Sequence, residues 1–150
     1  MRHLRRLARR DRGSMAVEFV IAGPALVLLL LLVSAGGQWL NLTGDVSAAA
    51  RDSVRAASLA RDFGTAQADA QTAAADDLAG VCAGGAPVTT VQLFQGGAPV
   101  GPADFPAAQD VEVTVSCTGS LKVFTAIGFP VSHQFTDTAA APLDPFVDRG

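Results

Sequence analysis

Most chemistry-bearing patterns are missing from this chain of 150 residues. It has no G-x-S-x-G elbow, no P-loop, no G-x-G-x-x-G and no H-E-x-x-H. His3 and His133 are the only histidines, and they flank a long apolar run from opposite sides. A shared metal site is therefore excluded on topological grounds once that run is read as a membrane span. His133 and Asp137 stand four apart on an extended stretch, a spacing that builds no triad, and Ser120 and Lys122 match no nucleophile–base motif. Basic charge is also scarce beyond the apolar run, where twelve acids face five basic residues. Nucleic-acid binding by that region is disfavoured, because phosphate contacts need a basic face. These absences describe a non-enzyme with no cofactor, one that works through interactions.

The basic residues that exist are concentrated at the start. Arg2, Arg5, Arg6, Arg9, Arg10 and Arg12 are six of the eleven. Directly after them, Phe19 to Gly44 carries no charge, and Ala25 to Val33 is almost entirely Leu and Val. About twenty apolar residues suffice to cross the hydrocarbon core as a helix. A soluble-core helix would show a polar face, which LVLLLLLV does not. Arginines beside a span stay on the cytoplasmic side. The expected molecule is single-pass, with its N-terminus in the cytoplasm and everything after about Gly37 outside.

Periodicity divides the remainder. Gly36 and Gly37 are expected to loosen the helix. From Asp45 to about Phe63, steps of 100° place Val46, Ala49, Ala50, Ser53, Val54, Ala57 and Ala60 on one face. Two readings stay open for this small-residue stripe: packing on its own domain's core, or packing on a neighbouring helix. Helical propensity persists from Ala66 to Leu78, with an interruption expected at Gly64 and a stop at Gly80. GGAPV then occurs twice, at Gly84 and at Gly96, and is read as loops bracketing one strand. VEVTVSC alternates cleanly, with Val111, Val113, Val115 and Cys117 on one side, as in a half-buried antiparallel strand. LKVFTAI and VSHQFTDT are weaker strand candidates, and the tail from Pro142 is expected to be loose. The predicted class is α+β: a transmembrane helix with an amphipathic helical extension, then a small antiparallel β-rich extracytoplasmic head. Its expected divisions are a leader at 1–13, the span at 14–37, the extension at 38–80 and the head with its tail at 81–150.

Cys82 and Cys117 both fall on the outer side, where a bridge between them would close a loop worth about 4 kcal/mol on the chain-entropy model. Two separate buried thiols are the alternative. Asn41-Leu42-Thr43 fits a glycosylation sequon at the membrane exit and is read as chance.

The sharpest signal is the junction of leader and span. An arginine-rich leader, Gly13, the four residues SMAV, then Glu18 and Phe19 at the start of a long span resembles the processing site of type IV prepilins. That resemblance implies cleavage after Gly13 by prepilin peptidase, leaving Ser14 as the new N-terminus and Glu18 fifth in the mature chain. In that family the glutamate pairs with the terminal ammonium of a neighbouring subunit. More narrowly, RGSMAVEFVIAGPALVLLLLLV followed by AAARDSVRAASLARD is similar to TadE-like proteins, minor pilin-like components of tight-adherence (Flp) pilus machines. Pro24, Ala50-Arg51 and Arg55-Ala56 fit the pattern, and the resemblance covers about the first sixty residues. It implies a bacterial cytoplasmic-membrane protein whose partners are prepilin peptidase, other pilin-like subunits and the pilus assembly platform. The competing reading is a secreted binding protein whose signal peptide is cut after Ala35, since Val33-Ser34-Ala35 suits a signal peptidase. An uncleaved anchor carrying an enzyme of unrecognised type is a third.

Overall fold

The computed structural model describes residues 4–126 and 128–147, with side chains from Phe19 onward except those of Val123 and Ala126. The elements in order are α1 (Leu4–Ser58), α2 (Phe63–Asp77), β1 (Val88–Gln95), β2 (Ala98–Val100), a 3-10 turn (Pro102–Ala107), β3 (Asp110–Ser120), α3 (Lys122–Ala126) and β4 (Ser132–Pro142). The chain divides into two compact units, Met1–Gly37 and Gln38–Gly150.

The first unit is helical throughout its described length. From Phe19 onward α1 is long and apolar enough to cross a membrane, with a mean hydropathy of 2.5 in its best window. Pro24 lies inside it, where it removes one backbone N–H and leaves the carbonyl of Val20 without its usual partner. Gly36 and Gly37 do not break the helix. Each costs only about 1 kcal/mol relative to Ala, too little to stop a helix driven from both sides.

In the second unit the last turns of α1 and the whole of α2 lie on one face of an antiparallel sheet of order β2-β1-β3-β4. Every residue of the stripe from Val46 to Ala60 is buried there. Of its two readings, the structure therefore shows the stripe on its own domain's core. Its apolar side chains share one buried core with Leu93 of β1 and with Val111, Val113 and Val115 of β3. The break comes at Leu59–Asp62, before Gly64, because Asp62 caps α2: its carboxylate accepts from the Thr65 N–H at 2.9 Å and from the Thr65 hydroxyl at 2.8 Å. Gly64 thus sits in the first turn of α2. Ala66, Ala70, Ala74 and Leu78 recur every four residues and are buried. Beside them Gln67 Nε2 donates to the Thr89 carbonyl and Gln71 Nε2 to the Pro87 carbonyl, at 3.0 and 2.8 Å, which ties α2 to the start of β1.

The expected β3 alternation is present: Val111, Val113, Val115 and Cys117 are buried against the helices. The opposite face is polar, with hydroxyl pairs Thr114–Thr138 at 2.9 Å and Ser116–Thr136 at 3.0 Å linking β3 to β4. The second GGAPV differs from its expected loop. Gly96 and Gly97 take positive φ, 59° and 80°, making a tight hairpin turn, and its last three residues form β2. LKVFTAI also departs from expectation: Lys122–Ala126 is a short helix in the β3–β4 connection. A seven-residue apolar run cannot be told from a buried helix turn by periodicity. The tail is partly docked. Leu143 is buried, its N–H donates to the Gln109 carbonyl at 2.8 Å, and the Asp144 N–H reaches the Ser58 carbonyl at 3.3 Å.

Candidate functional site

Gly13 and Ser14 lie on α1, as does Glu18, but the side chains of Ser14 and Glu18 fall outside the described residues. Phe19 is the first described side chain and is 82% exposed. Val20, Ile21, Leu26, Leu28, Leu29, Leu30 and Leu32 are exposed in the same way. Among them Phe19, Ala22, Gly23, Ala25, Leu26 and Leu29 line a shallow, almost wholly apolar groove. Such a surface is costly in water, about 25 cal/mol per Å². It is suited to lipid or to another helix, and the small residues at Ala22 and Gly23 permit close backbone approach.

In the second unit, Cys82 and Cys117 are joined by a disulfide with an S–S distance of 2.06 Å and Cα atoms 5.5 Å apart. It fastens the segment after α2 to the central strand, where Cys82 also bridges Gly119. Next to it is an aromatic cluster. The Trp39 ring lies 4.7 Å from His133 and 4.8 Å from Phe135, and His133 and Phe135 meet edge-on at 5.2 Å. His133 is thus part of a packed aromatic group, and Asp137 Oδ1 accepts from the Thr138 N–H at 2.8 Å. Ser120 and Lys122 line a shallow cavity of about 200 Å³ with Gln38, Asn41, Leu42 and Asp45. Asn41-Leu42-Thr43 lies within α1, where the Thr43 hydroxyl donates to the Trp39 carbonyl at 3.0 Å.

Among the described residues two carboxyl groups are displaced from their ordinary range. Hydrogen bonds from the Thr65 backbone N–H and then from its hydroxyl hold Asp62 below the usual value. Asp77 is pushed up, first by burial and then by the Asp52 carboxylate beside it. Among the described residues no three His, Cys, Asp or Glu side chains come together as a metal site.

Some packing groups gave no signal in the sequence. Phe105, in the 3-10 turn, is almost fully buried, yet it sits between prolines in a stretch that reads as loop. Ser53 is wholly buried in the alanine stripe, and its Oγ has no hydrogen-bond partner. Its place on the buried face was legible, its missing partner was not.

Against known proteins, the model of the TadE-like protein family matches residues 13–55. The match begins at Gly13 and takes in Glu18, the apolar run and most of the alanine stripe, so the likeness to that family lies in this segment. No curated protein and no solved structure matches the chain.

Proposed function

We propose that this chain, TadE-like over residues 13–55, is a membrane-anchored pilin-like component of a bacterial tight-adherence pilus or a related secretion machine. Prepilin peptidase cuts it after Gly13 on the cytoplasmic face, and the second unit faces outward. The observation that carries this reading is the order of features at the start: arginine leader, Gly13, Glu18, Phe19, then an uncharged helix whose large side chains from Phe19 to Val33 are exposed apart from the half-buried Leu31.

The mechanism follows from electrostatics in a medium of low dielectric. Cleavage creates an ammonium at Ser14, which is costly near hydrocarbon unless paired. A neighbouring subunit's Glu18 carboxylate, equally costly when alone, compensates it. The pair therefore fixes the axial register of two helices that are otherwise held only by apolar packing, which has little register of its own. Asp and Glu at the edge of a span can also reach the headgroups, so before assembly Glu18 is tolerated without its partner.

Intact mass and N-terminal sequence of the protein recovered from its native membranes test the reading. A chain starting at Ser14 supports it. A chain starting at Gly36 means a secreted protein and a long signal peptide, and a retained Met1 or Arg2 means a plain anchor. A Glu18→Ala variant should still be cut after Gly13 but fail to support pilus assembly. Normal pilus formation by that variant would remove the charge-pairing role.

A further inference from the structure

We propose that the free edge of β4 is a self-association surface: two copies of this chain pair their β4 strands antiparallel about a two-fold axis at Thr138. The two sheets then run on as one. The inference concerns the second unit alone and does not depend on the processing and assembly reading above.

The two edges of the sheet are built differently. At one edge β2 has only three residues, with Pro99 among them and Pro102 just beyond. That is the short, proline-bearing form by which sheets discourage pairing. At the other edge β4 has eleven residues and pairs with β3 from Asp110 opposite Pro142 to Ser120 opposite Ser132, without a bulge. Between Ser132 and Pro142 there is no lysine or arginine, a single acid, Asp137, and a proline only at the last position. A long, flat, nearly uncharged edge is a template for another strand.

Three hydrogen bonds fix which groups point outward. The Leu121 N–H donates to the Val131 carbonyl and the Leu143 N–H to the Gln109 carbonyl, so at both ends odd-numbered residues bond between β3 and β4. The Thr138 N–H instead turns to the carboxylate of its neighbour, Asp137 Oδ1, at 2.8 Å. By the alternation of an antiparallel pair, Ser132, Gln134, Thr136, Thr138 and Ala140 aim N–H and C=O away from the sheet. Among the described residues no other backbone group bonds to them from outside.

A cleft beside this edge selects the strand that fits. Thr43 and Val46 of α1 and Phe135, Thr136 and Asp137 of β4 line an opening of about 150 Å³. No residue of β3 lines it, so it lies on the open side of β4. An added strand lays its helix-facing side chains along this cleft, which takes short apolar ones. The second half of β4 carries such residues, Ala139 and Ala141, on the face that packs against the core. Its first half presents the bulkier Phe135 and Asp137 there. Pairing about Thr138 sets Asp137 opposite the partner's Ala139 and Phe135 opposite the partner's Ala141, so each bulky half meets a small one. On the other face Thr136 and Thr138, already bonded to Ser116 and Thr114, continue their row of hydroxyls across the seam.

Neighbouring registers fit less well. An axis at Asp137 puts two carboxylates directly opposite each other, which destabilises a strand pair. One at Thr136 drives the partner's Asp137 against Phe135. One at Ala139 sets Pro142, which has no N–H, opposite Thr136 and loses ladder bonds. The axis at Thr138 keeps about six backbone hydrogen bonds between the copies.

Both cysteines of the chain are held in the one disulfide, so an introduced thiol takes a single nitroxide label. Full-length oxidised protein in detergent is labelled at Thr138→Cys or, as the control, at Ala98→Cys on β2. In the proposed dimer the two Thr138 Cα atoms are about 5.5 Å apart, whereas the two Ala98 positions are seven strand spacings, roughly 30 Å, apart. The expected result is strong dipolar broadening at Thr138, removed by dilution with unlabelled chain, and none at Ala98. Ala140→Pro removes an outward N–H while leaving the β3 ladder intact, and by symmetry it acts twice. It should weaken dimerisation about tenfold or more, with cooperative unfolding retained. No broadening at Thr138 overturns the proposal. So does a dimeric mass by sedimentation without that broadening, since the copies then meet through another surface. Broadening that survives Ala140→Pro counts against strand pairing as well. A second test does not depend on how the proline variant folds. In the proposed register Asp137 and the partner's Ala139 form a non-hydrogen-bonded pair with Cα atoms about 4.5 Å apart, within disulfide reach. A chain with both Asp137→Cys and Ala139→Cys should therefore give a covalent dimer on mild oxidation, and either single variant much less. Absence of that dimer, or equal yield from a single variant, overturns the register and the proposal with it.

Discussion

Among the described glycines Gly119 is the one where an added Cβ would meet the closest neighbours, and adding one methyl there is a quantitative test of the packing. It lies buried on the core face of β3 with φ outside the left-handed region, so any penalty is steric. A Cβ built on it would stand 3.0 Å from Leu42 Cδ1, 3.0 Å from Phe135 Cε2 and 3.1 Å from Leu42 Cδ2. Comfortable carbon contacts are about 3.5–4.0 Å, so both side chains must retreat by roughly half an ångström. Phe135 has little room, since its ring packs against both Trp39 and His133. Overpacking of this kind costs about 1–3 kcal/mol, and replacing glycine in a strand returns roughly 0.5–1 kcal/mol. Gly119→Ala should therefore lose about 1–2 kcal/mol net. For a unit of this size the thermal midpoint should fall by roughly 4–10 °C. Urea unfolding of the oxidised full-length protein in detergent, followed by Trp39 fluorescence, reads the loss at the site itself. In a Leu42→Ala background the same methyl should cost markedly less, because two of the three close atoms are gone. A Gly119→Ala chain as stable as wild type, or penalties that simply add, would show that these side chains swing away freely and that the approach is no constraint.

Three further outcomes are expected. Ser53→Ala should leave stability unchanged or raise it by up to about 1 kcal/mol in urea unfolding, because it removes a buried hydroxyl that has no partner; a clear loss would reveal a hydrogen bond at that hydroxyl. Asp62 is held below its ordinary value by the fold, so its contribution is complete above the ordinary carboxylate range and is lost as pH falls through the lowered value. Asp62→Ala should accordingly lower the midpoint at neutral pH and lose its effect in acid, whereas Asp62→Ser should keep most of the cap. Asp77 is raised, so its charge destabilises the fold above the raised value and the penalty fades as pH falls towards the ordinary one. Asp77→Asn should raise the midpoint at neutral pH with little effect in acid, and an unchanged midpoint at pH 7 would mean that water screens the Asp52 carboxylate fully.

How much of this was legible depended on the range of the interactions. The span, the face from Val46 to Ala60 and the alternation of β3 are periodic, and a long period survives in one chain's sequence. The helix turn at Lys122–Ala126 is too short to show a period, and its helicity is set by the hairpin neck between Leu121 and Val131. Phe105 and Leu143 are anchors dictated by tertiary space, and prolines around them mark the neighbourhood as loop. At Gly36 and Gly37 the helix is continuous, while the division of the chain into two units falls directly after Gly37. Gly13, Ser14 and Glu18 belong to another kind of legibility. The roles proposed for them, cleavage and pairing with a neighbour's terminus, are ones that no single chain's fold contains.

The bridge between Cys82 and Cys117 has a mechanical consequence. On the function proposed above the chain would bear tension in a fibre or an anchored machine, and tension unravels a chain from the ends inward. The bond closes a sequence separation of 35 residues, enclosing β1, β2, the buried Phe105 and most of β3. At about 3.5 Å per extended residue, roughly 120 Å of slack is withheld from any pulling force. Under load, β4 and α2 are free to peel, while the strands that carry the core cannot be drawn out. A subunit stretched in this way keeps a covalently closed seed from which both elements can re-form when the load is released.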